Sequence, residues 1–317
     1  MRMMSLLGSL ATALTSGVVV ACGSGASSDS FAPDTVHVAA SFYPIEEIVR
    51  SVGGAAVSIL GLVPAGESAH DYEPTPRQID NLQQADIVFF LGGGFQQNVE
   101  KAIAALPDRI VKIDLLSAIT LLPVSAQLAG TDGETDGEVL GDGNDPHVWL
   151  SPLNMQRMAE MVKIALFDIA GVDRDVVTSS AASYSAVLGE LHSDFVAGLS
   201  NCSSNVIVTS HRAFGYLASE YGLQQIAIAG ISPSDEPSAR TLEAVANAAV
   251  KHHVTTIFFE NNLPADLSRT IADEVGARTD VLDPVESLSR EQFADGADYI
   301  SIMEMNLAAL RKGLGCT

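Results

Sequence analysis

The chain alternates short apolar runs with helical stretches, and it does so twice. Between the apolar runs lie stretches of helical character such as IEEIVRSVG and TPRQIDNLQQ. The eight runs are VHVAASFYP (36–44), VSILGLVPAG (57–66), ADIVFFLGGG (85–94), RIVKIDL (109–115), NVIVTSH (205–211), QQIAIAG (224–230), VTTIFFEN (254–261) and RTDVLDP (278–284). Continuous apolar runs that alternate with helices are typical of parallel sheets covered on both faces. The pattern therefore predicts an α/β protein with two lobes, each built on a parallel sheet.

A long connector helix is predicted between the two lobes. Residues 172–200 contain no proline, and their apolar side chains recur mostly at helical spacing. The predicted organisation is a first lobe at 35–170, a connector helix at 171–200 and a second lobe at 201–317. A helical connector implies small hinge motions, whereas a Gly/Ser linker would have implied independent domains.

The composition is that of a folded, acidic protein. A chain of 317 residues with 47% hydrophobic and 18% charged residues can bury a large core. Its 17 Lys and Arg against 39 Asp and Glu give a net charge of -22, which repels phosphate backbones. We expect no nucleic-acid partner, and we expect the protein to be a monomer.

The N-terminus has the features of an export signal. Residues 1–21 contain one charged residue, Arg2, followed by apolar and small residues, and the stretch is too weakly flanked for a spanning helix. Cys22 follows a small residue and is the first residue of a polar tether at 22–34. This arrangement resembles a bacterial lipoprotein signal, in which the cysteine is lipidated. We expect an extracytoplasmic protein anchored to the cell membrane through Cys22; the alternative is a cleaved secretory signal with a spare cysteine.

Two further cysteines remain in the second lobe. Cys202 precedes its first strand and Cys316 lies next to the C-terminus. Because exported chains meet oxidising conditions, these two residues are a possible disulfide pair.

An acidic, glycine-rich loop occupies residues 131–145. It begins like a calcium-binding EF loop, but Gly143 stands at the twelfth position, where a bidentate glutamate is required. We expect a solvated loop whose charge raises the local concentration of cations without supplying a ligand.

Three histidines and one aspartate lie after predicted strands or loops, in positions where side chains of an α/β sheet can bind a metal ion. They are His70 in GESAHDYEP, His147 in DPHVWLSP, His211 at the end of NVIVTSH and Asp283 in TDVLDP. Ligands of open α/β sheets bind at the carboxyl ends of strands, and three imidazoles with one carboxylate suit zinc. Taken alone, the spacing leaves two alternatives open: unrelated loop histidines, and a hydrolytic zinc site. The sequence has no HExxH, Gly-x-Ser-x-Gly or phosphate-binding glycine motif.

Several segments, in order from Val36 to Leu314, add a family resemblance. The segments are SFYPIEEI, VPAGESAHDYEPTPRQI, DPHVWLSP, TSHRAFGYLASEYGL and LDPVESLS. They resemble marker segments of the solute-binding proteins of bacterial zinc and manganese ABC importers. The resemblance implies two (β/α)4 lobes joined by a long helix, with one metal ion bound in the interlobe cleft and delivered to a membrane permease.

The same resemblance implies a ligand set and a metal. The first-lobe ligands fall on His70 and His147, and the second-lobe ligands on His211 and Asp283. The position of His211 is typically histidine in the zinc binders and glutamate in the manganese binders of this family, in line with ligand preference. The implied function is high-affinity capture of Zn(II) by a protein that is not an enzyme. A manganese-binding counterpart and a metal-dependent surface adhesin are the alternatives within the family.

Overall fold

The computed structural model describes residues 31–32, 35–124, 143–261 and 266–317. The predicted export signal, Cys22 and residues 131–142 of the acidic loop lie outside the described residues. Within the described part of the chain, no helix is both long and apolar enough to cross a membrane.

Each strand of the structure lies within one of the predicted apolar runs. The strands are β1 Val36–Ala40, β2 Val57–Gly61, β3 Ile87–Phe90, β4 Val111–Asp114, β5 Val206–Thr209, β6 Gln224–Ala227, β7 Thr256–Phe259 and β8 Arg278–Val281. They form two four-stranded sheets, with the orders β2-β1-β3-β4 and β6-β5-β7-β8. All neighbouring strands are parallel. The second sheet therefore repeats the topology of the first, and the predicted pair of α/β lobes is confirmed.

Helices connect the strands and cover both sheets. They are α1 Tyr43–Gly53, α2 Pro76–Leu82, α3 Gln97–Ala104, α4 Pro152–Phe167, α5 Arg174–Gly198, α6 Gly215–Tyr221, α7 Ala239–Lys251, α8 Asp266–Val275, α9 Arg290–Ala294 and α10 Tyr299–Leu314. Local sequence sets several of their N-termini. Thr75 and Gln78 form a capping box at α2, and Ser289 and Gln292 form another at α9.

Successive strand residues pack into different layers of the core. In β1, Val38 and Ala40 join the large central cluster, whereas Ala39 joins a separate cluster with Leu82 of α2 and Val99 of α3. The same division occurs in the second sheet. Since successive strand residues point to opposite faces, apolar residues at every position require cover on both sides. The uninterrupted apolar runs follow from this arrangement.

Helix α5 is the connector that the sequence predicts. It is 25 residues long, about 37 Å at 1.5 Å per residue. The side chain of Asp173 caps its N-terminus by accepting hydrogen bonds from the backbone N–H groups of Asp175 and Val176. One face is buried, with residues spaced four and three apart: Val177, Ala181, Tyr184, Leu188, Leu191 and Phe195. This face packs against α1 and α4 of the first half and α10 of the second.

The two halves are also joined by hydrogen bonds around one loop of the first half. Trp149 Nε1 donates to the carbonyl of Pro284 at 2.7 Å, and Tyr299 Oη donates to the carbonyl of Trp149 at 2.7 Å. Tyr216 Oη donates to the carbonyl of Asp145 at 3.0 Å. All three bonds are buried, so the second half fixes the backbone of residues 145–149.

The C-terminus is fastened to the start of the second half. A disulfide joins Cys202 to Cys316, the pair that the sequence offers, across a sequence separation of 114. The two residues also form an antiparallel bridge, and Thr317 N donates to the carbonyl of Asn201 at 3.1 Å. Helix α10, which ends at Leu314, is thereby held against the second sheet.

Replacing both cysteines with serine should lower the free energy of unfolding of the exported domain by about 2–5 kcal/mol, because a long covalent loop restricts the unfolded chain. Denaturant unfolding of the oxidised protein and of the Cys202→Ser/Cys316→Ser variant measures the difference. As a control, a reductant should lower the midpoint of the parent and leave the variant unchanged. Coincident midpoints, or two free thiols found by mass spectrometry in the oxidised parent, would contradict this expectation.

Candidate metal centre

Four side chains from both halves of the fold meet at the carboxyl ends of the strands. His70 lies in the loop after β2, and His147 precedes a short 3₁₀ turn, Val148–Leu150. His211 follows β5 by two residues, and Glu286 follows β8 by five. One ligand atom from each of these four residues lies within 4.8 Å of all the others. The topology therefore brings together groups that are 216 residues apart in the chain.

The carboxylate of Glu286 is surrounded by three imidazoles. Its Oε1 atom lies 3.3 Å from Nε2 of His70, 3.5 Å from Nε2 of His147 and 3.1 Å from Nε2 of His211. The ring centroids of the three histidines are 5.3 to 6.0 Å apart. Nε2 of His147 is buried and has no hydrogen-bond partner in the described part of the chain. All three histidines thus direct the same ring nitrogen towards one point.

The centre is buried, with access at its edges. The side chains of His147 and His211 are fully buried, and those of His70 and Glu286 are 5% and 9% exposed. A cleft of about 160 Å³ reaches His70 between residues 94–98 of the first half and residues 231–232 of the second. A smaller cleft, of about 60 Å³, is lined by Glu286 together with Glu260 and Asp283. A small ion could enter here, whereas a large substrate could not.

Carboxylates on the far side of two rings fix the direction of the histidines. Asp145 Oδ1 lies 2.8 Å from Nδ1 of His147, and Glu260 Oε1 is hydrogen-bonded to Nδ1 of His211. Asp145 and Glu260 are themselves buried, and Glu260 also accepts a hydrogen bond from Ser210. A carboxylate on Nδ1 leaves Nε2 free to donate its lone pair to a metal ion and increases the basicity of the ring.

The same contacts shift the pKa values of the centre. Burial lowers the pKa of His211, but attraction to Glu260 and hydrogen bonds to Glu260 and Glu286 outweigh burial and raise the pKa to about 10. Burial likewise lowers the pKa of His147, yet the hydrogen bond to Asp145 and the nearby carboxylate of Glu286 raise the net value. Burial raises the pKa of Glu286, but attraction to His70 and hydrogen bonds from the histidines bring it well below its ordinary value. Without a metal ion, these contacts therefore favour the protonated forms of His147 and His211 and the ionised form of Glu286.

The structure differs from the sequence-based expectation at the fourth position, where Asp283 is outside the group and Glu286 is inside it. The carboxylate of Asp283 accepts hydrogen bonds from the backbone N–H of Val285 at 2.8 Å and from Gln292 Nε2 at 2.8 Å. Its two carboxylate oxygens are thus occupied by these bonds, and Asp283 does not join the three histidines. The ligand set that the geometry supports is His70, His147, His211 and Glu286.

Sequence reasoning missed Glu286, Asp145 and Glu260. Each had a weak signal: Glu286 lies in the quoted segment LDPVESLS, Asp145 precedes His147 by two residues, and Glu260 follows β7 directly. The carboxyl-end rule that selected His211 also applies to Glu260. It could not distinguish an ion ligand from a residue that supports one.

Three imidazole nitrogens and one carboxylate oxygen form a four-coordinate donor set. Zinc in proteins is most often tetrahedral with nitrogen, sulfur and oxygen ligands, and imidazole favours zinc over manganese. Nε2 of His147 is buried without a hydrogen-bond partner among the described residues, and a zinc ion would take its lone pair once the proton has left. The residues present therefore fit Zn(II).

The chain is similar to proteins of zinc uptake. Residues 38–313 match the model of the family "Zinc-uptake complex component A periplasmic". The zinc-binding lipoprotein AdcA of Streptococcus pneumoniae (strain ATCC BAA-255 / R6) is 34% identical over 299 residues. That match covers 93% of this chain but 58% of AdcA, so the chain spans little more than half of that relative. The high-affinity zinc uptake system protein ZnuA of Bacillus subtilis (strain 168) is 32% identical over 301 residues, with 94% of each chain covered.

A solved structure extends the similarity to the fold. The crystal structure of the Zn(II)-bound ZnuA-like domain of Streptococcus pneumoniae AdcA superposes with a TM-score of 0.74 at 33% identity. It covers 88% of this chain and 99% of that domain. The family resemblance and the two-lobe architecture predicted from sequence are confirmed. The chain belongs to the family of the periplasmic A component of zinc-uptake complexes.

Proposed function

We propose that this protein captures Zn(II) outside the cytoplasm and delivers it to the membrane permease of an ABC importer. The observation that carries the proposal is the convergence of Nε2 of His70, His147 and His211 with the carboxylate of Glu286. These four residues come from both halves of the fold, so a bound ion would link the two lobes. The zinc-uptake relatives and the zinc-bound neighbour support the same reading.

Histidine at position 211 favours zinc over manganese. Affinity of nitrogen-rich sites rises steeply from manganese to zinc, whereas oxygen-rich sites suit manganese better. With three imidazoles and one carboxylate, the proposed site is nitrogen-rich.

The remaining parts of the proposal concern the protein's location. Cys22 follows a signal-like segment, and the AdcA relative is named a lipoprotein. We include in the proposal a lipid anchor at Cys22, a flexible tether to about residue 34 and a monomeric binding domain. A tethered monomer can release its ion at a permease in the same membrane and remain there for the next cycle.

His211→Ala should weaken zinc binding by about 100-fold, since a four-ligand zinc site of about 10–16 kcal/mol shares its energy among the ligands. Competition titrations with a zinc chelator measure the dissociation constants of parent and variant. In the parent, zinc should bind far more tightly than manganese. His252→Ala is the matched control because His252 lies at the end of α7, outside the centre. Equal affinities for both ions in the parent, or an unchanged zinc affinity in His211→Ala, would contradict the proposal.

Zinc affinity should rise with pH well beyond the ordinary histidine range. Because the pKa of His211 is raised from 6.5 to about 10, its proton must leave before zinc binds at neutral pH. The dissociation constant should fall by about tenfold per pH unit for each proton that zinc displaces between pH 6.5 and 8.5. Proton release in calorimetry, compared across buffers of different ionisation enthalpy, measures this number.

The thermal stability of the metal-free protein should change in the opposite direction. A folded-state pKa above the unfolded value stabilises the fold at low pH, and that contribution is lost as pH rises from about 6.5 towards 10. The melting temperature of the metal-free protein should therefore decrease over this range, whereas that of the zinc-saturated protein should not. A zinc affinity that does not change above pH 7 would mean that His211 is already deprotonated there, and it would contradict both expectations.

Cys22→Ser should move the protein from the membrane fraction to the soluble exported fraction, because the thiol would carry the lipid. Fractionation of cells that express the full chain, with immunoblotting, measures the distribution. Cys202→Ser is the control and should leave the protein with the membrane. A membrane-bound Cys22→Ser protein would exclude anchoring through this residue.

A further inference from the structure

The turn that carries Glu286 contains a strained backbone. Val285 has φ +56°, and among the described residues it and His253 are the non-glycine residues with positive φ. For a β-branched side chain this left-handed conformation is unfavourable, and it persists where the surroundings enforce it. Val285 is fully buried, so its side chain is fixed as well as its backbone.

Hydrogen bonds on both sides of Val285 enforce the conformation. Asp283 Oδ1 accepts from the backbone N–H of Val285 at 2.8 Å, and the carbonyl of Pro284 accepts from Trp149 Nε1 at 2.7 Å. Asp283 is in turn fixed by Asn306, whose side chain bonds both its N–H, at 2.8 Å, and its carbonyl, at 2.7 Å. The second carboxylate oxygen of Asp283 accepts from Gln292.

The direction of Glu286 depends on this turn. Glu286 is the next residue, and its Oε1 atom lies 3.1 to 3.5 Å from three imidazole nitrogens of other segments. If Val285 relaxed to negative φ, the chain would leave the turn in another direction. The carboxylate would then move out of the centre, since a short glutamate side chain cannot compensate for a rotated backbone.

We propose that Asp283 is a positioning residue of the zinc site: it holds Val285 in the left-handed conformation that directs Glu286 at the metal ion. This inference rests on the proposed zinc-binding function and assigns Asp283 a role other than ligation. It also explains why an aspartate that follows the last strand by two residues, where ligands are expected, accepts a hydrogen bond from a backbone N–H instead.

A double-mutant cycle tests the inference. Asp283→Ala should weaken zinc binding by about 10- to 100-fold, the usual effect of losing a group that orients a ligand. In a Glu286→Gln background the same change should alter affinity by less than about threefold, because the side chain that it positions is already disabled. The cobalt(II) absorption spectrum of Asp283→Ala should resemble that of Glu286→Gln, which a general loss of stability would not produce.

Two further variants make the result decisive. Asp283→Asn retains an oxygen for the N–H of Val285 but removes the negative charge, so its zinc affinity should stay within about threefold of the parent. This variant tests the inference even if Asp283→Ala does not fold. Asp280→Ala is the matched control, since the Asp280 carboxylate pairs with Lys312 at 2.6 Å on the surface; its zinc affinity should equal that of the parent.

The outcomes separate this inference from the proposed function. Equal losses from Asp283→Ala with and without Glu286, no loss at all, or an Asp283→Asn loss as large as that expected for the alanine variant would overturn the positioning role. In each of these cases the parent still binds zinc. A parent that does not bind zinc would instead overturn the function on which the inference rests.

Discussion

Three imidazole nitrogens and one carboxylate are buried together at the candidate metal centre, and the rest of the structure depends on this constraint. Burying such polar groups costs several kcal/mol each unless hydrogen bonds or opposite charges compensate them. Here Asp145 and Glu260 bind the outer nitrogens of His147 and His211, and Glu286 lies between the inner ones. The carboxylates therefore compensate the positive charge that His147 and His211 carry when protonated. A Zn(II) ion would replace protons that the cluster already holds, so it enters a site arranged for positive charge.

The site also depends on both halves of the fold, and buried hydrogen bonds couple those halves beside it. Residues 145–149 carry Asp145 and His147, and the second half fixes them through Tyr216, Tyr299 and the carbonyl of Pro284. Displacement of the halves would separate His147 from Glu286 and break the Trp149 bond that supports the turn at Val285. Any displacement of the two halves would therefore disturb the proposed metal centre and these hydrogen bonds together. The 25-residue helix α5 packs along both halves and restricts such a displacement.

Both sheets share one topology, and the rule that ligands bind at the carboxyl ends of parallel strands therefore predicted most of the site. Both sheets have the same strand order, and the connections at their carboxyl ends face a common cleft. His70 and His211 follow β2 and β5. Both could be predicted as candidate ligands, because the end of an apolar run in the sequence marks the carboxyl end of a strand. Val206–Thr209 is fully buried, as a strand covered by helices on both faces must be.

The sequence by itself determined the eight strands, the connector helix and the three histidines, because these depend on patterns within short windows: apolar runs, helical spacing and the place where a strand ends. Tertiary structure alone decided that Glu286, and not Asp283, joins the histidines. That choice depends on the φ angle of one buried valine, on Asn306 beyond it in the chain and on Trp149 from the other half. Similarly, Glu260 reaches His211 across 49 residues of sequence through neighbouring strand ends. Contacts of this kind are set by which strands pair and how the chain turns between them, and no local pattern of residue types encodes them.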